Sequence, residues 1–281
     1  MKTVFQILVY LFLSSKIIVA QNLTIEKIIP LNFSANNFSV NENKKFILLT
    51  SKEKNEVIKI DLDGKVQKII GGFGWGEGQF DYPSSIVSTA IDVYVSDYNN
   101  HRIQRFDHNL NFISSLQKSE TINFEYPISI CLSSLGDLYI LDSYNKRILK
   151  LNGFNRLERV FGNYESGRFI FSNPSLIRVD NQQQIYVLDG KNIFVFDQFG
   201  IYLKTISLPE DFSEKIVDFY PDHQGIFLLT SKSLYELNKE LKQIHFSNFD
   251  GFDYVFQKIE LRQGKLYLLS SEGILICKKE Y

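Results

Sequence analysis

Apolar and polar residues alternate along most of this chain in short runs, which are separated by polar turns. Alternation with a period of two residues is typical of β-strands that bury one face. One short apolar run, followed by a polar turn and a second apolar run, recurs along the whole sequence. The copies end at Thr50, Asp97, Asp142, Asp189, Thr230 and Ser270. Their spacings of 47, 45, 47, 41 and 40 residues predict one β-propeller blade per repeat.

The second repeat shows all four strands of such a blade. Pro83 introduces it, as proline does where a strand begins and needs no N–H donor. The third and fourth repeats follow the same pattern after Pro127 and Pro174, and the first, fifth and sixth repeats are weaker copies. The predicted strands of the second repeat are Ser84–Thr89, Asp92–Asp97, Arg102–Asp107 and Phe112–Leu116.

The last repeat supplies only three strands before the chain stops at Tyr281. The segment Leu23–Ile29 (LTIEKII) has strand patterning and precedes the first inner strand near Phe38. An unpaired sheet edge would expose a row of backbone donors and acceptors. We therefore predict an all-β fold: a six-bladed β-propeller with four-stranded antiparallel blades, closed by an N-terminal strand that completes the C-terminal blade.

The first twenty residues differ from the rest of the chain. Lys2 is followed by the apolar run Val4–Leu13 and then by Val19-Ala20 before Gln21, the pattern of a secretory signal peptide. This run is well short of the ~20 residues that span a bilayer, so we expect no stable membrane span. The prediction is a signal peptide in residues 1–20, a single propeller domain in residues 21–281, and a secreted, periplasmic or cell-envelope protein.

Charge and cysteine content bear on two questions: whether the protein binds nucleic acid and whether it contains a disulfide. The chain has 31 Lys and Arg against 32 Asp and Glu, and loss of Lys2 and Lys16 with the signal would make it slightly more acidic. A nucleic-acid-binding protein favours a strongly basic surface, so we expect no nucleic-acid partner. Cys131 and Cys277 fall on strands of different blades, and we expect two buried thiols instead of a disulfide.

The blade corners carry a recognisable motif. The segment from Gly71 to Pro83 reads GGFGWGEGQFDYP and is followed by VSDYNNHRIQRFD at Val95–Asp107. The second half recurs as DSYNKRI at Asp142–Ile148 and partly in the fourth repeat. Together these segments resemble the NHL family of β-propellers, and at the level of architecture the resemblance covers the whole chain after the signal.

We interpret the motif residues as structural. The glycines allow positive φ in the crossover between blades. The aspartates are expected to accept hydrogen bonds from the turn amides beyond them, while the Asn and Arg side chains tie each turn to its neighbour. The residues assigned to this structural motif are Asp97, Asn100, Arg102, Asp142, Asn145, Arg147 and Asp189.

Catalytic signatures are scarce. No Gly-x-Ser-x-Gly elbow occurs, and the glycine run lacks the Lys-Ser/Thr of a phosphate loop. We expect no catalytic residue, no metal and no cofactor, which favours a protein that is not an enzyme but leaves that question open. The alternative is a calcium-dependent lactonase- or esterase-type hydrolase or lyase that uses the central channel, as in neighbouring propeller families. Its ligands would come from Asn36, Asn37, Asp180, Asp218, Asp222 and Glu260.

What remains is an aromatic loop face. Exposed aromatic side chains give large contact areas at low entropy cost. The favoured function is an exported, non-catalytic binding or scaffolding module for a protein, peptide or glycan. The face is predicted to carry Phe73, Trp75, Tyr82, Tyr98, His101, Phe124, Tyr126, Tyr144, Tyr164, Phe169, Phe171, Phe249 and Phe252. The binding candidates are Trp75, Tyr98, His101, Tyr126 and Tyr144, whereas Phe80, Phe169 and Phe171 precede a proline and are expected to fill gaps between blades.

Two further features of the sequence allow alternative interpretations: RNA as a ligand, and N-linked glycosylation. The resemblance implies RNA as an alternative ligand, since some cytoplasmic NHL domains bind RNA, but export and slight acidity argue against it. Three Asn-x-Ser/Thr triplets begin at Asn22, Asn32 and Asn37. They matter only if the host glycosylates exported proteins, and an Asn-rich chain also produces such triplets by coincidence.

Overall fold

The structure, a computed structural model, describes residues 23–153, 155–162, 171–208, 212–238, 243–249 and 254–279. These residues form six four-stranded sheets in which every pairing is antiparallel. The predicted fold class, an all-β six-bladed propeller, is therefore confirmed. The predicted signal peptide lies outside the described residues. Within the described ranges, no helix has the length and apolar character of a transmembrane span.

The strands fall into six blades. Blade 1 contains β2–β5, blade 2 β6–β9, blade 3 β10–β13, blade 4 β14–β17, blade 5 β18–β21, and blade 6 β22–β24 with β1, as the following bounds define them. In chain order the strands are β1 Leu23–Pro30, β2 Asn37–Asn41, β3 Phe46–Ser51, β4 Glu56–Asp61, β5 Val66–Gly71, β6 Pro83–Ser88, β7 Asp92–Asp97, β8 Arg102–Asp107, β9 Phe112–Leu116, β10 Pro127–Leu132, β11 Leu138–Asp142, β12 Arg147–Leu151, β13 Leu157–Phe161, β14 Pro174–Val179, β15 Ile185–Asp189, β16 Asn192–Phe196, β17 Tyr202–Ser207, β18 Ile216–Asp222, β19 Gly225–Thr230, β20 Ser233–Asn238, β21 Gln243–Asn248, β22 Phe256–Arg262, β23 Lys265–Ser270 and β24 Gly273–Lys279.

Blades 1 to 4 form one compact unit, Ala35–Phe212. The second strand of each blade is the most deeply placed, and every residue of β7 and β11 is buried. Pro83, Pro127 and Pro174 are the first residues of β6, β10 and β14, so the inner strand of blade 2 begins one residue before the predicted start at Ser84. A β-bulge follows each of these prolines, which increases the local twist of the inner strand.

Neighbouring blades in this unit pack face to face through apolar clusters. Between blades 1 and 2, Phe80 and Phe106 are fully buried among β3, β6 and β7 residues. Phe124 fills the corresponding position between blades 2 and 3, and Phe171 between blades 3 and 4. The phenylalanine three residues before each of Pro83, Pro127 and Pro174 thus packs between two sheets. Burial of such rings is a main stabilising contribution to the fold.

The inner strands are also joined by hydrogen bonds. The Ser85 Oγ in β6 accepts the Ile130 amide of β10 at 3.2 Å, and the Ser129 Oγ in β10 accepts the Ile177 amide of β14 at 3.3 Å. In blades 2 and 3, one serine hydroxyl therefore satisfies a backbone donor of the next blade that would otherwise be buried without a partner.

The second compact unit contains β1 and blades 5 and 6. Its last sheet has the strand order β1-β24-β23-β22, so the N-terminal strand completes the C-terminal blade, as predicted. Ile29 lies opposite Ile274 in this pairing, and both side chains are fully buried.

The two cysteines are free thiols in separate cores. Cys131 lies in β10 and Cys277 in β24, and both are buried. Burial raises the pKa of each thiol to about 12, because the charged thiolate is poorly solvated there. They therefore pack as small apolar side chains.

Candidate functional site

A buried ion pair shapes the loop end of blade 2. The Asp97 carboxylate is fully buried, and its Oδ2 accepts the Arg102 Nε at 2.7 Å and the Asn100 Nδ2 at 2.9 Å. Its Oδ1 accepts the Asp81 amide at 2.8 Å. Burial raises the pKa of Asp97, and these hydrogen bonds oppose that shift. Each polar atom of the carboxylate is thus paired, as a buried charge requires.

Arg102 extends this pairing to the crossover that arrives from blade 1. Its guanidinium donates to the carbonyls of Trp75 at 2.6 Å, Gly76 at 3.0 Å and Gln79 at 2.9 Å. The Asn100 Nδ2 adds a bond to the Gly74 carbonyl at 2.9 Å. The fork of donors on arginine suits several carbonyls at once, so the loop that carries Trp75 is held in one conformation.

Blade 3 repeats the arrangement with fewer bonds. The Asp142 Oδ2 accepts the Arg147 Nε at 3.0 Å and the Asn145 Nδ2 at 2.9 Å. Its Oδ1 accepts the Glu125 amide at 3.1 Å. The Arg147 guanidinium reaches one crossover carbonyl, that of Asn123, at 2.5 Å.

The role expected of these aspartates needs a correction. They were expected to accept amides from the turn beyond the strand, but Asp97 and Asp189 bind amides of the crossover before it. Asp189 accepts the Ser172 and Asn173 amides at 2.6 and 2.7 Å. Only Asp142 also receives a turn amide among the bonds described, from Asn145 at 3.4 Å. The crossover amides are closer because the strand end and the incoming loop lie side by side.

These anchored loops bring four tyrosines into one row. The ring centroids of Tyr82 and Tyr98 are 5.4 Å apart, those of Tyr98 and Tyr126 5.0 Å, and those of Tyr126 and Tyr144 6.0 Å. Each adjacent pair is tilted by 47 to 52°, a favourable geometry for aromatic pairs. We call these four residues the tyrosine row.

The repeat explains the row. Tyr82 and Tyr126 are the residues before the inner-strand prolines, and both have positive φ, 64° and 51°. Tyr98 and Tyr144 lie in the turns after Asp97 and Asp142. The Tyr98 amide donates to the Tyr82 carbonyl at 3.1 Å. Crossover and turn residues from blades 2 and 3 therefore alternate along the row.

The tyrosine hydroxyls and the polar neighbours differ in availability. Among the described residues, none of the four hydroxyls makes a hydrogen bond. In contrast, the Asn99 Nδ2 is bound to Asp81 at 2.8 Å, and the His101 Nδ1 accepts the Tyr126 amide at 3.1 Å. The His101 ring also contacts the Tyr126 ring edge-on, with centroids 4.2 Å apart. The row thus offers ring faces and free hydroxyls, while adjacent polar groups are used internally.

Exposure differs among the binding candidates. Trp75 and Tyr144 are 67% and 66% exposed, whereas Tyr98, His101 and Tyr126 are partly buried by one another. Tyr82 belongs to the row although sequence reasoning placed it on the loop face without making it a binding candidate. The signal that could have found it is the recurring Tyr-Pro pair at blades 2 and 3.

Several other predicted face residues are not on the surface. Phe124 and Phe249 are buried because they pack between sheets, and Phe80 and Phe171 are buried as expected. Phe73 is 70% exposed. The expectations for Tyr164, Phe169 and Phe252 lie outside the described residues.

The residues considered for calcium have protein partners. The Asn36 and Asn37 Nδ2 atoms donate to the Pro83 and Ser84 carbonyls at 3.2 and 3.1 Å. The Asp218 Oδ2 accepts the Ile259 amide at 2.9 Å, and its Oδ1 lies 3.5 Å from the Lys258 Nζ. In the described part of the chain, no group of three or more His, Cys, Asp or Glu side chains is arranged to hold a metal.

Comparison with known sequences identifies the motif region. The profile of the NHL repeat matches residues 80–106 and 124–151, the segments that carry the tyrosine row's turns. Protein brain tumor of Drosophila melanogaster is 32% identical over 149 residues, which cover 48% of this chain and 14% of that protein. The B-box type zinc finger protein ncl-1 of Caenorhabditis elegans is 32% identical over 155 residues, 51% of this chain and 18% of that protein. The chain therefore spans less than a fifth of either relative.

Solved structures share the fold. A streptogramin B lyase superposes with a TM-score of 0.63 at 12% identity, covering 90% of this chain and 97% of that one. A catalytically inactive virginiamycin B lyase from Staphylococcus aureus with quinupristin gives a TM-score of 0.64 at 10% identity, with 91% and 99% covered. At such low identity the likeness concerns the fold alone.

Proposed function

Since the chain belongs to the NHL-repeat β-propellers, we propose that it is an exported, non-catalytic binding module that takes an extended segment of a protein partner on its tyrosine row. A binding or scaffolding role is consistent with an NHL-repeat propeller. A single observation supports the tyrosine row as the binding site: four tyrosine rings from two blades stand in contact, and their hydroxyls make no hydrogen bond within the described residues.

The composition of the row favours a peptide over a glycan. Protein interfaces are enriched in Tyr and Trp, and a few such residues supply most of the binding free energy. A glycan needs many directional polar contacts, but Asn99 and His101 beside the row are already bonded to the protein. Apolar side chains of a peptide can pack on the rings while the hydroxyls bind its backbone carbonyls.

Charge favours a peptide over RNA as well. The acidic residues Asp81 and Glu125 lie in the crossovers that carry the row. The exposed basic groups near the row stand at its two ends: Lys52, whose Nζ is 5.7 Å from the Tyr82 ring centroid, and Lys146, in the turn that carries Tyr144. Single-stranded nucleic acid is bound by aromatic rings together with a positively charged groove, and the row lacks a run of such charges among its described neighbours.

Peptide selection tests the proposal. A displayed library of random peptides is selected against the immobilised protein, and the affinity of the enriched peptides is measured by fluorescence anisotropy. Tyr144→Ala and Trp75→Ala should each weaken binding at least about tenfold, the scale of an interface hot spot. Phe199→Ala is the matched control, since Phe199 is a 54% exposed aromatic residue in the turn between β16 and β17.

The outcomes are separable. Equal affinity of the Tyr144→Ala, Trp75→Ala and Phe199→Ala variants would refute the row as the binding site. Failure to enrich any peptide, with binding instead on a glycan array or to an RNA pool, would replace the peptide by that ligand. Export is tested independently, by whether residues 1–20 direct the protein into the medium of a secretory host and are removed.

A further inference from the structure

The two glycosylation triplets that the structure describes, at Asn32 and Asn37, differ in exposure to solvent. Asn37 begins β2, is 5% exposed, and donates from its Nδ2 to the Ser84 carbonyl while its Oδ1 accepts the Phe38 amide at 2.8 Å. The hydroxyl of the same triplet, on Ser39, is 1% exposed and lies 3.0 Å from the Ser88 Oγ. A glycan on Asn37 cannot fit between blades 1 and 2. Asn22 lies outside the described residues.

Asn32 has the opposite surroundings. It is exposed in the bend that follows β1, and Ser34, which completes the triplet Asn32-Phe33-Ser34, is exposed too. Neither side chain makes a hydrogen bond within the described residues. The segment is fixed close by, since the Leu31 amide donates to the Glu272 carbonyl at 3.2 Å. N-glycosylation acceptors are surface loops of exported proteins, and only Asn32 meets that description among the described triplets.

We infer that Asn32 is an N-glycosylation site, carrying an oligosaccharide in the exported protein. The inference rests on the export part of the proposed function. An oligosaccharyltransferase would supply the glycan from a polyprenyl-diphosphate donor. The Asn32 Nδ2 forms a bond to the anomeric carbon of the first sugar, the bond from that carbon to the diphosphate oxygen breaks, the amide loses one proton, and the polyprenyl diphosphate leaves.

The position has a structural consequence. Asn32 stands two residues after Pro30, the end of β1, and β1 is the terminal strand of its sheet. An edge strand presents unpaired donors and acceptors to other chains. A glycan attached at the end of this strand shields the edge sterically and disfavours strand-to-strand association between copies.

The test uses two forms of the full protein in a eukaryotic secretory host: one with its own residues 1–20 and one with a signal peptide of that host in their place. Secreted protein is treated with peptide N-glycosidase in ¹⁸O-water, and labelled aspartate is located by peptide mass spectrometry. The label is expected at residue 32 in most molecules. Asn32→Gln and Ser34→Ala should abolish it, whereas Ser34→Thr, which keeps the acceptor triplet, should retain it.

Export and modification can fail separately. If only the form with the host signal is secreted and it carries the glycan at Asn32, export by residues 1–20 is wrong and the site is supported. If the protein is secreted with either signal while residue 32 remains unlabelled, the inference is wrong. Label at Asn37 in secreted, folded protein would also contradict it, because that side chain is enclosed.

Discussion

Arg102 and Asp97 are joined across a two-strand turn with Nε and Oδ2 2.7 Å apart, and both side chains are withdrawn from solvent. The pair does more than neutralise two charges, since the same guanidinium also holds three carbonyls of the crossover. The corresponding Arg147 is 22% exposed in its side chain and binds one carbonyl. Two copies of one motif therefore differ in how much structure depends on them.

Replacement of the two arginines should show that difference. Arg102→Ala leaves the buried Asp97 carboxyl group without its cationic partner, and should lower the free energy of unfolding by about 3–5 kcal/mol. Arg147→Ala should cost about 1–3 kcal/mol, because the Arg147 side chain is 22% exposed and water can take its place beside Asp142. Urea unfolding measures both. Equal losses for the two variants would mean that the extra carbonyl contacts of Arg102 contribute nothing.

The pairing of β1 with β24 can be tested by a disulfide. Ile25 is in register with Cys277, and directly opposed residues of antiparallel strands have Cα atoms about 4.5–5.5 Å apart, within the range that a disulfide spans. Ile25→Cys should therefore oxidise with Cys277 and raise the unfolding temperature, as a bond that closes so long a loop stabilises by roughly 2–5 kcal/mol.

Controls separate register from chance. Glu26→Cys places the thiol at the residue skipped by the bulge between Ile25 and Lys27 and should oxidise poorly. Ile25→Cys combined with Cys277→Ala should form no bond at all. Efficient oxidation of Glu26→Cys with no reaction of Ile25→Cys would show that the strand pairs in a different register.

His108 makes stability depend on pH. The Lys44 Nζ donates to its Nδ1 at 2.6 Å, and its Nε2 lies 3.0 Å from the Thr89 carbonyl, so the neutral ring with a proton on Nε2 satisfies both bonds. Burial lowers the pKa of His108, and the charges of Lys44 and Lys59 lower it further. The unfolded chain binds the proton more readily, so this contribution to stability is present above the ordinary histidine pKa and is lost as pH falls through the lowered value.

The prediction concerns the difference between variants. From about pH 7.5 to about pH 5, on either side of the ordinary value, the unfolding temperature of the protein should fall more steeply than that of His108→Gln. Lys44→Met should give an intermediate slope, because it removes one of the charges that oppose protonation. Parallel curves for the original protein and His108→Gln would exclude His108 as a source of the pH dependence.

Much of the fold could be read from sequence because its repeat imposes the same burial pattern at each blade. The strands Asp92–Asp97, Arg102–Asp107 and Phe112–Leu116 are predicted with the bounds that the structure shows. The last blade followed from counting strands, since a missing fourth strand had one patterned segment to supply it.

The site was less predictable because it depends on contacts between blades. Tyr82 and Tyr126 enter the row through positive φ before a proline, a backbone choice that composition does not reveal. Blade 5 gives another example. Thr230 replaces the motif aspartate, and the Glu214 carboxylate from the crossover supplies the acceptor, 2.6 Å from the Thr230 Oγ1. The carboxylate thus comes from the crossover instead of the strand end, 16 residues away in the sequence. Such an exchange is visible only in the three-dimensional structure.

Amide hydrogen exchange of the protein, with and without a peptide selected as above, tests the binding proposal most directly. Both ends of blades 2 and 3 carry exposed apolar residues: Tyr144 at the row, and Ile91 and Leu135 in the hairpins between first and second strands, 70% and 69% exposed. We predict peptide-dependent protection of residues 80–83, 97–102, 124–127 and 142–147, with residues 89–92 and 133–137 unchanged. Protection of the hairpins at 89–92 and 133–137, with none at the tyrosine row, would contradict the account.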